Sequence, residues 1–328
     1  MTCMARSVAR GRAGELRAAR PAGTRALAAL AGMLAGAGSG CELREVTFAQ
    51  PEDIVVAEVV LVAGAGMQRA VLHRTHGSGL PPGEVEGAEV VITGPGGRML
   101  RLRENRQSLC FVDLDEEGRS TAGTCYVAET SLRPFVVPGE RYALEVRLPD
   151  GRVLTGATTV PDAFEMRIRP NTTCALLPGS TLELVWTSSP GAWVYAAETE
   201  LRGLAAALER RGIELAHDPL RLFGLSVSRT DTTIVFPTEF GLFDRFDPDL
   251  TEALAAIQQG LPPDVEADIV IAAADRNYVG WERGGSFNPS GFVRVPSVFG
   301  DGTGVFGSIV PQLFGVSTAA QSGLPPCG

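Results

Sequence analysis

Residues that could do chemistry are few in this 328-residue chain, which has 3 histidines and 6 cysteines. His73 and His76 stand three apart, a spacing that can bring two imidazoles together, but no third ligand follows at metal spacing. A zinc site needs at least three protein ligands, so Thr75-His-Gly-Ser-Gly reads as a polar loop. His217 precedes Asp218 directly, and adjacency in sequence does not make a catalytic dyad. His76-Gly-Ser-Gly lacks the first glycine of a nucleophile elbow. Asp113-x-Asp115-Glu-Glu-Gly118 carries the oxygens a hard cation prefers but lacks the later bidentate glutamate, so it reads as a solvated turn.

Carboxylates offer the next chemistry. Asp244, Asp249 and Asp275 could serve a glycan or peptide hydrolase if the fold brought two of them together, since such enzymes need only a suitably spaced pair. The run Asp244-Arg-Phe-Asp247-Pro-Asp249 is explained more simply as a helix start, because acids favour the positive N-terminal end. Glycines recur near the end, in Gly284-Gly-Ser-Phe-Asn-Pro and Gly300-Asp-Gly-Thr-Gly-Val-Phe-Gly307. Without a lysine or a following helix they make no phosphate loop, and they suit tight turns and close backbone approach beside a final strand over 305–316. Tyr278, Trp281, Phe287, Phe292, Phe299 and Phe306 could line a ligand groove, although aromatics in a β-rich chain pack into its core by default. No catalytic residue, metal ligand or cofactor site is assigned from the sequence, and the chain is expected not to be an enzyme.

The cysteines carry the strongest signal. Residues 1–40 hold six arginines against one acid, Glu15, followed by an Ala/Leu/Gly core that ends at Gly38-Ser-Gly-Cys41. The apolar core is shorter than the about 20 residues a spanning helix needs, so the segment reads as a secretory signal. Its end resembles a bacterial lipobox with Gly38 where leucine is usual, which makes Cys41 the expected lipidation site. Ordinary cleavage near Ala37, leaving Cys41 free, is the competing reading. Acyl chains on Cys41 would anchor the protein stably, each buried methylene adding about 0.8 kcal/mol. The whole chain carries −9 and the leader +5, so the remainder carries −9 − 5 = −14. That charge argues against nucleic acid as a partner. The basic residues are all arginine.

Beyond the leader and Cys41 lie Cys110, Cys125, Cys174 and Cys327, an even number that suits two disulfides in an exported protein, with three pairings possible. Pairing Cys110 with Cys125 would close a polar, turn-like stretch and contribute about 3 kcal/mol in the chain-entropy model. Cys174 and Cys327 would then tie a second domain to the chain's end.

These residues need a scaffold, and the pattern is mainly β. Over 53–161, short apolar runs broken by Gly and Pro predict strands at 55–62, 69–73, 88–93, 99–103, 109–112, 125–128, 142–148 and 153–159. In Tyr142-Ala-Leu-Glu-Val-Arg-Leu the apolar side chains share one face, and Asp150-Gly151 gives a hairpin turn. Eight such strands suggest an N-terminal β-sandwich of immunoglobulin or transthyretin-like type. After a boundary at Pro161, residues 162–328 read as a β-rich second domain, with strands at 164–169, 181–187, 193–197, 222–228, 233–236 and 269–273. Two helices interrupt it. The stripe Leu201, Leu204, Ala205, Leu208 predicts one over 200–214, and Asp247-Pro248 predicts one over 248–259 that stops at Gly260. Residues 1–40 are thus a signal, 41–52 a tether, and the rest two β-rich domains.

The leader with Cys41, the hairpin 142–161 ending Ala-Thr-Thr-Val-Pro, Asn288-Pro289 and Gly302-Thr-Gly-Val-Phe-Gly307 together resemble a family of bacterial envelope lipoproteins built on a domain of unknown function. That family is best represented in Bacteroidetes-type bacteria and is often encoded beside TonB-dependent outer-membrane receptors. The resemblance implies a lipoprotein of the cell envelope, anchored to the outer membrane through Cys41 and facing the periplasm or the surface. It implies a binding or accessory role in an outer-membrane uptake or assembly system, with the receptor as partner. A secreted carboxylate hydrolase and a structural or adhesive surface protein are the two alternatives.

Overall fold

A computed structural model describes residues 53–75, 83–105, 110, 123–129, 134–226, 228–240, 248–284, 294–320 and 323–327. The leader and Cys41 lie outside the described residues, as does most of the expected strand over 109–112.

Alternation decides which way each strand faces. In β1 (Val55–Val62), Val55, Ala57, Val59 and Leu61 enter the main core while Val56, Glu58 and Val60 face the other side. β2 (Met67–Arg74) returns antiparallel, placing Glu58 opposite Val71. The buried Gln68 steadies the turn, its amide bonding both the N–H and the C=O of Val62. β3 (Glu89–Thr93), β4 (Met99–Asn105), β5 (Thr124–Glu129), β6 (Arg141–Arg147) and β7 (Val153–Thr159) follow. The β6–β7 hairpin turns at Gly151, whose φ of 91° is open to glycine at no steric cost.

The remaining strands are β8 (Thr173–Ala175), β9 (Leu182–Val185), β10 (Val194–Arg202), β11 (Leu220–Leu225), β12 (Thr233–Phe236), β13 (Glu266–Ala274), β14 (Val298–Gly300) and β15 (Gly302–Ser317). Among the described residues, twelve strands run in the order β11-β10-β13-β15-β1-β2-β5-β4-β3-β6-β7-β14, with β8 attached to β15, while β12 and β9 form a separate pair. The protein is therefore mainly β, built on one large sheet. Hydrogen bonding crosses the expected boundary at Pro161, because β1 lies parallel to β15. The path also returns on itself. β14 pairs with β7, and two residues after Gly300 the chain pairs Gly302 with Val55 of β1, so one short segment joins both ends of a nine-strand run. Val90, Leu144 and Leu154 accordingly share a core with Val59 and Phe306.

Three helices decorate this sheet among the described residues. The first, α1, spans Leu204–Glu209 and is shorter than the expected 200–214. Leu201 fits the helical stripe, yet it pairs with both Ala267 and Leu220 and so belongs to β10. Gly203, with φ 79°, redirects the chain, and the Asp218 carboxylate accepts from the N–H groups of Gly203 and Ala205. The second, α2 (Pro248–Ile257), lies where Pro248 and the apolar stripe place it. The third, α3 (Arg276–Gly284), is not anticipated by the sequence. The run 164–169 forms no strand, and Met166 makes only an isolated bridge to Trp186.

Candidate functional site

The helix that the sequence hides organises the site. Asp275 follows β13 directly and caps α3. Its Oδ1 accepts from the N–H of Tyr278 at 2.9 Å, the expected N-cap geometry, and from the N–H of Ser308 on β15 at 3.1 Å. Its Oδ2 bonds the Thr158 hydroxyl of β7, and Thr158 also lies 3.2 Å from the Ser308 hydroxyl. Burial pushes this carboxyl above the usual range, and its hydrogen bonds to Thr158, Tyr278 and Ser308 pull the other way. Asn277 adds two bonds from Nδ2, to the carbonyls of Ala157 and Phe306. Gly307 makes the close approach possible, since a Cβ there would lie 2.8 Å from the Tyr278 backbone nitrogen.

So anchored, α3 covers part of the outer face of the sheet. Tyr278 and Val279 pack with Val194, Ala196 and Ala272, and Trp281 packs with Val56 and Val305. Beside the helix the face stays open as a groove of about 830 Å³. Val60, Val62, Val71 and Met67 line it between Trp281 and Glu282 at one side and Glu129 at another, and Arg69 supplies its positive charge. Cys110 lines it as well, through the disulfide to Cys125 on β5, so a covalent staple borders the groove. The second disulfide joins Cys174 of β8 to Cys327.

Two carboxylates in this groove are driven apart electrostatically. Burial raises Glu58, but the His73 imidazole 3.8 Å away and the Arg294 guanidinium at 3.1 Å outweigh it and hold the group below its ordinary range. Burial also raises Glu282, Arg294 opposes this, Glu58 and Glu198 add to it, and the group stays high. Arg294 lies 4.6 Å above the Trp281 ring, so one guanidinium serves both the aromatic face and Glu58.

Of the carboxylates named from sequence, Asp275 is a buried cap, while Asp244 and the Asp249 side chain lie outside the described residues. His73 touches Glu58, His217 is exposed, and His76 lies outside the described residues. Of the aromatics, Trp281 lines the groove, Tyr278 and Phe306 are buried beneath α3 and in the core, Phe299 is 59% exposed, and Phe287 and Phe292 lie outside the described residues. Sequence reasoning missed Glu58 and Glu282. A signal for Glu58 existed in the lone acid on the otherwise apolar outer face of β1, whereas Glu282 became informative only once α3 was in place.

Among the described residues, no three His, Cys, Asp or Glu side chains gather at metal-binding distance, and no helix is long and apolar enough to cross a membrane. No family model matches the chain, and no relative is found among curated proteins.

Proposed function

We propose that the protein is a non-catalytic cell-envelope lipoprotein, held at the membrane by acyl chains on Cys41, that binds a ligand through the groove beside α3 as an accessory to an outer-membrane uptake or assembly system. The observation that supports it best is the groove itself, about 830 Å³ with an apolar floor and few polar groups, the usual make-up of a ligand site. Two disulfides suit an oxidising compartment and agree with the secretory leader. In this reading residues 53–161 form a sandwich-like layer pair completed by β14 and β15, and residues 162–328 build the second domain around β10 and β13. Fractionating cells that produce the wild type and Cys41→Ser tests the anchor. The wild type belongs in membranes and the variant in the soluble fraction, and equal partitioning refutes it. Crosslinking followed by co-purification with an outer-membrane receptor tests the partner.

One observation favours the hydrolase alternative. Glu58 is held low and Glu282 high beside the same groove, the polarisation an acid and its partner carboxylate use. Turnover of oligosaccharides or peptides that disappears in Glu282→Gln would establish it, and no turnover over a broad substrate panel would remove it.

A further inference from the structure

The groove beside α3 presents three glutamates, Glu58, Glu129 and Glu282, and one arginine, Arg69, above a floor of valines and Met67. Its polar groups are not evenly spread. Glu58 pairs in register with Val71 and Glu129 with Met67, four residues apart on β2, so the two acids sit roughly 13 Å apart along the strands. Apolar side chains fill the interval, with Arg69 between them. At the first end the chain already shows which chemistry fits, because its own Arg294 guanidinium rests on Trp281 and pairs with Glu58. Glu282 stands next to that corner within the field of Arg294, which is itself paired with Glu58, and it is only partly exposed. A carboxylate withdrawn from water gains most from an ionic partner that brings its own hydrogen bonds.

We infer that the groove is a site for a small organic cation, an ammonium or guanidinium group on an aliphatic stem, whose charged end pairs with Glu282 beside Trp281 and whose stem lies on Val60, Val62 and Val71. This rests on the reading of the groove as a binding site and names what it binds. An alkyl stem covers the valine floor that would otherwise stay wet, and with Arg294 counted beside Arg69 the three glutamates still leave the site one charge negative, which is complementary to a cation. Glu58 does not compete for the ligand, being occupied by Arg294 and His73. Arg69 opposes a cation, which gives the site a built-in test of sign.

The test is calorimetric titration of the full-length protein with cadaverine, with hexanoate as an anion of similar stem and Mg²⁺ as a cation without one. Cadaverine should saturate one site while hexanoate and Mg²⁺ do not. Glu282→Gln should weaken cadaverine about tenfold, the usual consequence of losing a charged hydrogen bond. Arg69→Gln should tighten it about threefold, as expected for removing one like charge at a partly wet site. Opposite shifts from two substitutions cannot come from a general loss of fold. Hexanoate binding as tightly as cadaverine would overturn the cation assignment while leaving the groove a binding site. Failure of cadaverine to bind protein of native circular dichroism, or an unchanged affinity in Glu282→Gln, would overturn it outright. The Cys41→Ser fractionation is independent of all these outcomes.

Discussion

Asp275→Ala should loosen α3 and cost about 3 kcal/mol, whereas Asp275→Asn should cost less than about 1 kcal/mol, and the contrast follows from which oxygen does what. Oδ1 accepts from the N–H groups of Tyr278 and Ser308, and an asparagine Oδ1 can keep both. Oδ2 meets the Thr158 hydroxyl, which can accept from an asparagine Nδ2 instead of donating. Alanine loses everything. Removing an N-cap acceptor costs about 1 kcal/mol, and leaving the buried Ser308 N–H without a partner costs a further 1–3 kcal/mol, or about 2. Thr158 adds little to the loss, because its hydroxyl retains Ser308 Oγ at 3.2 Å.

The pH dependence has a definite sign. The folded carboxyl is raised above its unfolded value of about 3.9, so its protonated form favours the folded state. That contribution is full below the unfolded pKa and is lost as pH rises through the folded one. The stability of Asp275→Asn relative to wild type should therefore improve from pH 4 to pH 7. Urea unfolding followed by circular dichroism measures both variants. Equal costs for Ala and Asn would refute the reasoning, since they would mean that the negative charge itself, not its hydrogen-bond geometry, holds the helix.

Other expectations are independent of that cluster. Removing the Cys174–Cys327 disulfide should cost more than removing Cys110–Cys125, about 5 against about 3 kcal/mol in the chain-entropy model, because the loops closed span 153 and 15 residues. Urea midpoints of the paired Cys→Ala variants check the order, and equal losses would contradict it. Thr199→Val should stabilise by about 1 kcal/mol, since its buried hydroxyl lacks a partner among the described residues, and a lower melting temperature would show that the hydroxyl is satisfied after all. Gly304→Ala should cost more than about 2 kcal/mol, because a Cβ at φ 138° would collide with the Ala57 carbonyl on β1. A wild-type melting curve would show that the strands can part there without loss.

Sequence pattern reads this fold well where one face is buried and the other wet, and poorly where it is not. β7 has the bounds that alternation predicts, and β1 and β12 have those of short apolar runs cut off by turn residues or polar neighbours. At Leu201 the pattern misleads. Periods of two and of three to four both accept a leucine there, and the β-sheet wins because β10 has partners on both sides. α3 escapes for a different reason. Its nine residues include Gly280 and the poor helix formers Tyr278, Val279 and Trp281, so propensity argues against it. Tertiary bonds from Asp275 and Asn277 stabilise it instead, and those depend on Thr158, Ala157, Phe306 and Ser308, residues that no local window contains.

The groove was beyond local reading for the same reason, and the two facts have one cause. Glu282 lies in the helix that Asp275 caps, and the cap is tied to β7 and β15 rather than to its own neighbourhood. Position of the carboxylate is therefore set by a buried bond network on the far end of α3, with Gly307 allowing the helix to sit close enough for Trp281 to reach Val56 and Val305. Loosening the cap should then move the groove as well as the melting curve. Asp275→Ala should weaken cadaverine binding severalfold at a temperature where the protein is still folded, while Asp275→Asn leaves it near wild type. Unchanged binding in Asp275→Ala would separate the two, and would place the control of Glu282 in the field of Arg294 instead.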